Sequence, residues 1–122
     1  MKYLLLLNND AEEVRSWGSL SKDEARKLRE GEIPRWNDLM GWVAEQGIEM
    51  SGLELEGPSK ARVVRVRDGQ KVVTDGPFAE TKEIIGGYFL VDCKDLDQAI
   101  EVAQRVPLVD TGSVEIRPLV TH

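Results

Sequence analysis

One stretch restricts the fold more than any other: Arg62-Val63-Val64-Arg65-Val66-Arg67, the dipeptide Asp68-Gly69, then Gln70-Lys71-Val72-Val73-Thr74. Two β-rich runs joined by Asp-Gly predict an antiparallel hairpin, because a two-residue type I′ turn needs positive φ at both central positions. Whatever this chain folds into must therefore hold an antiparallel ribbon near its middle.

The flanking sequence supplies strands and helices in alternation. Lys2 to Leu7 reads as a buried opening strand, closed by the turn cluster Asn8-Asn9-Asp10. Residues 8–20 read as a polar loop carrying Trp17 and Gly18. Ser21 and Glu24 have capping-box spacing and start a helix. Ala25, Leu28, Trp36, Leu39, Met40 and Val43 then recur at roughly helical intervals up to Gly47. Gly31 and Pro34 interrupt the run, and an interior proline costs about 3 kcal/mol or more. That predicts a break or kink near residues 31–34.

Ile48 to Leu55 reads as a second strand, with a bulge at Ser51-Gly52 and a turn at Gly57-Pro58-Ser59. Beyond the hairpin, Asp75 to Glu83 is a loop, and Ile84 to Cys93 is a strand interrupted by Gly86-Gly87. Asp95 and Gln98 start another helix, whose apolar face is Leu96, Ala99, Ile100 and Ala103. Pro107 ends it, and Val114 to Leu119 is the last strand. With the hairpin set aside as an insertion, the order is β-α-β-β-α-β, the split βαβ or ferredoxin-like plan of an α+β fold. Its sheet has helices on one face only. An open apolar face calls for a partner, and the simplest partner is a second copy, so a homodimer is expected.

The 122 residues fit a single domain spanning 1–122. With 16 Lys+Arg against 22 Asp+Glu the net charge is −6, which opposes the phosphate neutralisation needed for nucleic-acid binding. Residues 1–61 carry 8 basic and 12 acidic groups, and residues 62–122 carry 8 and 10, so the deficit is shared by both halves. Tyr3 to Leu7 is too short to span a membrane, and it lacks the length and small-residue cleavage site of a signal peptide. The lone Cys93 cannot form an internal disulfide, which makes a reducing cytoplasm the expected setting. One cysteine and one histidine exclude the usual zinc sites. No metal and no cofactor is expected, since Gly76-Pro77 and Gly86-Gly87 lack dinucleotide or P-loop spacing.

Candidate chemistry is densest in Asp75-Gly76-Pro77-Phe78-Ala79-Glu80-Thr81-Lys82-Glu83. Asp75 stands where a hairpin strand ends, and Gly76-Pro77 forces a tight corner. A carboxylate held there is a candidate general base or hydrogen-bond acceptor. The alternative is that Asp75 caps its own turn. Phe78, Glu80 and Lys82 join it as candidate ligand-binding residues. Trp36 is a further candidate, as an aromatic pocket wall or as core packing. Cys93 reads as a small buried hydrophobe without a base to activate it. Arg62, Arg65 and Arg67 read as an anion-binding row, since Arg65 and Arg67 share one strand face, or as solvated edge charges.

Asp75-Gly76-Pro77-Phe78-Ala79-Glu80-Thr81-Lys82-Glu83, followed by Gly86-Gly87-Tyr88-Phe89-Leu90, resembles the DGPF-domain branch of the YCII-related proteins. The opening Met1-Lys2-Tyr3, the Arg65-Val66-Arg67-Asp68-Gly69 hairpin, Asp95-Leu96-Asp97-Gln98-Ala99 and the closing Gly112-Ser113-Val114-Glu115-Ile116-Arg117-Pro118 extend the likeness over nearly the whole chain. The resemblance implies a bacterial, cytoplasmic protein forming a dimeric α+β barrel, two ferredoxin-like protomers with their sheets face to face, and no established reaction. A His–Asp catalytic pair has been proposed for the wider superfamily. The only histidine here is His122, so that pair is not carried over. Two functions follow as expectations: a homodimeric small-molecule-binding or regulatory module, or a cofactor-free enzyme using Asp75 for proton transfer.

Overall fold

A computed structural model describes residues 1–76 and 82–122. The opening strand, β1 (Lys2–Asp10), decides the layering. Its pleat buries Tyr3, Leu5 and Leu7, while Leu4 and Leu6 point the other way and are only half-buried. There follow α1 (Ala11–Trp17), α2 (Lys22–Glu45), β2 (Glu49–Glu54), β3 (Arg62–Arg67), β4 (Gln70–Asp75), β5 (Glu83–Asp92), α3 (Leu96–Arg105) and β6 (Ser113–Pro118). Short 3-10 turns lie at Pro58–Lys60 and Pro107–Asp110.

The main sheet is antiparallel with the order β2-β5-β1-β6, and β3-β4 forms a separate two-stranded sheet. β5 lies between β1 and β2, and β1 lies between β5 and β6. This is the interleaved arrangement of two split βαβ units, so the α+β ferredoxin-like plan holds. One chain closes no barrel: among the described residues its main sheet has β2 and β6 at its edges.

Helices α2 and α3 cover one face. Leu39 and Val43 from α2, with Ala99 and Val102 from α3, pack on Tyr3, Leu5, Leu7, Val91 and Cys93. Leu5, Leu39, Val91, Val102 and Val106 are the largest side chains fully removed from water. Each contributes roughly 1.5–3 kcal/mol of transfer free energy. The opposite face presents two cross-strand rows. One runs Ser51, Leu90, Leu4, Arg117, and the other Leu53, Tyr88, Leu6, Glu115. Among the described residues no strand side chain on that face is buried.

Local signals hold where they are strongest. Asp68 and Gly69 take φ of 52° and 75°, the type I′ turn, and the strands pair from Arg62 with Asp75 to Arg67 with Gln70. The Ser21 side chain accepts from the Glu24 N–H at 3.1 Å, and the Glu24 carboxylate accepts from the Ser21 N–H at 3.2 Å. Helix α2 ends with Gly47 N–H donating to Ala44 C=O and Ile48 N–H donating to Val43 C=O, a Schellman motif. The Asp95 carboxylate caps α3 through the Gln98 N–H at 2.8 Å.

Five expectations are corrected. Asn8-Asn9-Asp10 is no turn: β1 continues through it, pairing with Ile85, Ile84 and Glu83 after a register shift at Leu7/Asn8. The stretch read as a loop over 8–20 contains α1, capped by the Asp10 carboxylate accepting from the Glu13 N–H at 3.1 Å. Helix α2 has no break at 31–34. It runs on through Pro34, and because residues 26–35 are exposed, water can reach the carbonyl that proline leaves without a donor. β2 and β5 pair in unbroken register past Ser51-Gly52, so no bulge forms there. The buried face of α3 is Ala99, Val102 and Ala103, while Leu96 and Ile100 are exposed. The sheet turns that helix about one residue from the stripe expected.

Candidate functional site

The base of the hairpin carries the candidate site. β4 ends at Asp75, which pairs in register with Arg62 of β3, and their side chains form an ion pair with Nε 3.4 Å from Oδ1. Arg62 also donates through Nη1 to the Ala61 carbonyl at 2.8 Å. That carbonyl accepts the Gly76 N–H at 3.0 Å, which ties down both ends of the hairpin. The Asp75 side chain is 90% exposed. In a single chain it is thus a solvated acceptor beside a guanidinium.

Past the segment 77–81, Lys82 is exposed and its backbone carbonyl accepts the Ala11 N–H at 2.8 Å, joining the start of β5 to the start of α1. Next to it, the Glu83 carboxylate accepts from the Ser113 hydroxyl at 2.8 Å. Asp75 and Lys82 therefore stand at the two ends of the motif segment. Phe78 and Glu80, the other two candidates in the motif, lie outside the described residues.

Trp36 sits elsewhere. It projects from α2 onto the helix-covered face, half-buried, its ring 6.1 Å from that of Phe89 and tilted by 52°. Among the described residues no hydrogen bond, ion pair or ring contact joins it to Asp75. Trp42 turns to α3, where the Arg105 guanidinium stacks 4.0 Å from its ring centre. Such stacking is worth about 0.5–1 kcal/mol at an exposed site. Cys93 is buried, and desolvation pushes its thiol above the ordinary value, against the lowering field of the N-terminal ammonium. A protonated, enclosed thiol is a poor nucleophile.

An open cleft of about 300 Å³, lined by Arg35, Asp38, Leu39, Gln104, Arg105 and Pro107, separates α2 from α3. No sequence motif marks it, because its lining comes from two helices distant in the chain. Arg35 pairs there with Asp110, and Arg105 with Glu101 at 3.5 Å, so its charges are largely answered from within. Among the described residues, no three of the His, Cys, Asp and Glu side chains are grouped to hold a metal ion. No described helix is long and apolar enough to cross a membrane.

The model of the YCII-related domain matches residues 1–121. The chain belongs to the YCII-related family. A relative of this YCII-related protein, an uncharacterized protein of Rhizobium meliloti (strain 1021), is 34% identical over 128 residues, covering 100% of this chain and 94% of the relative. Membership therefore extends over the whole ferredoxin-like unit, and no specific activity comes with it.

Proposed function

We propose that this YCII-related protein is a homodimeric module, two sheets face to face, that binds a small molecule near Asp75 and Lys82 in the bacterial cytoplasm. The carrying observation is the open sheet face. Leu4, Leu6, Tyr88 and Leu90 form a contiguous apolar strip between the strands, and Leu53 beside them is 67% exposed. Exposed apolar surface of this kind marks an interaction site. The position of Asp75 favours binding over acid–base chemistry, since an exposed carboxylate paired with Arg62 accepts hydrogen bonds without needing a proton. A bacterial relative and a single enclosed thiol support the cytoplasmic setting.

The test combines a thermal-shift screen of small organic acids and amines on the wild type with the same screen on Leu6→Lys and Asp75→Asn. The reading expects ligands that stabilise the wild type and lose their effect in both variants. A ligand that stabilises Leu6→Lys as well as it does the wild type would contradict a site shared between two protomers. Turnover of a hit, lost in Asp75→Asn, would replace the binding module with the proton-transfer enzyme.

A further inference from the structure

One face of the β3–β4 hairpin leaves three valines in water beside the exposed Arg62, Lys71 and Asp75. Exposed ribbons turn charged side chains outward, which also guards their edges. Here Val63, Arg65 and Val72 are half-buried on one face, while Val64, Val66 and Val73 are 64%, 65% and 64% exposed on the other. Val64 pairs directly with Val73, and Val66 follows along the same face, so the three make one patch. Two-stranded ribbons are marginal in water by themselves. Among the described residues this one is a separate sheet, joined by no backbone ladder to the main sheet.

Charge singles the hairpin out as well. Arg62, Arg65, Arg67 and Lys71 outnumber Asp68 and Asp75, giving +2 over residues 62–75 of a chain totalling −6, so the remainder carries −8. A basic, valine-faced ribbon is thus complementary in net charge to the rest of this same protein. The hairpin also springs from the end of β2 that carries Leu53, at the margin of the open sheet face.

We infer that the hairpin is an arm that lays Val64, Val66 and Val73 on a second copy of the chain, so that each protomer's hairpin closes one end of the space between the two sheets. This rests on the dimer reading above. It adds that Asp75, at the base of the arm, becomes enclosed only when the partner is in place, which leaves the site incomplete in a monomer.

Sedimentation equilibrium on the full chain tests it with two variants. V64T/V66T/V73T keeps β-branching while removing the apolar patch, and R67E/K71E reverses two exposed charges without touching the core. Each is expected to raise the dimer dissociation constant about tenfold or more, with far-UV circular dichroism unchanged. Should the threonine variant not fold, the charge variant decides alone. A dimeric wild type whose dissociation constant is unchanged in a folded variant overturns the arm, leaves the sheet-face dimer standing, and gives the valine patch to another partner. A monomeric wild type overturns both.

Discussion

Gly52 gives the pairing of β2 with β5 its sharpest test. It lies opposite Phe89, and a Cβ there would sit 2.2 Å from the Tyr88 carbonyl oxygen, 2.6 Å from Phe89 Cδ1 and 3.1 Å from Phe89 Cα. Ordinary carbon–oxygen contacts begin near 3.3 Å. Gly52→Ala must therefore displace β2 by on the order of 1 Å, enough to stretch the adjacent N–H···O bonds beyond their usual range of about 2.7–3.2 Å. Two such bonds at about 1 kcal/mol each, together with the roughly 1–3 kcal/mol of overpacking, predict a loss of about 2–4 kcal/mol. Equilibrium urea denaturation measures it. Because Leu53 and Tyr88 flank the contact, the variant should also disturb the open face and weaken any dimer. A stability change under about 0.5 kcal/mol, the level of an indifferent surface substitution, would refute the register on which the open face is drawn.

Further outcomes follow from single residues. Asp75→Asn removes one exposed ion pair and should cost about 0–1 kcal/mol, read by thermal melting. A larger loss would mean that Asp75 holds its turn together. Cys93 should react with iodoacetamide far more slowly in the native protein than in urea, since it is buried and its thiol is raised. The same shift carries a pH signature. Below the unfolded-state value of 9.0 both states hold the proton and the contribution is complete. Above it the unfolded chain ionises first, so stability falls as pH rises toward the folded value. Melting temperatures between pH 8 and 10 should decline in the wild type and decline less in Cys93→Ala.

Features written in a few adjacent residues are legible in the sequence itself. The Asp68-Gly69 turn, the Ser21–Glu24 box and the Asp95 cap each carry their own hydrogen-bond chemistry, and each forms as expected. Asp10 followed by Glu13 is the same kind of signal, but the seven residues of α1 are too few to show a helical apolar period. Pro34 misleads because propensity prices an interior proline without knowing that its surroundings are solvated. The stripe of α3 keeps Ala99 and Ala103 from the expectation but buries Val102 in place of Leu96 and Ile100, because the docking angle of a helix on its sheet is set by tertiary packing and not by its own apolar count. At the site, position along the chain places Asp75 correctly at a strand end. It does not show that Trp36 belongs to the helix-covered face of the main sheet, since that depends on α2 crossing β5 beside Phe89. The exposed valines of the hairpin are equally hidden, because alternation alone does not say which side of a ribbon is left in water.

If the open sheet face joins two copies of this chain, the wild type in solution at micromolar concentration has the mass of two chains. Sedimentation equilibrium should return twice the 13.7 kDa of the chain, falling to the single-chain mass in Leu6→Lys with helix and sheet content preserved. A wild type that stays at the single-chain mass across that range would contradict the account.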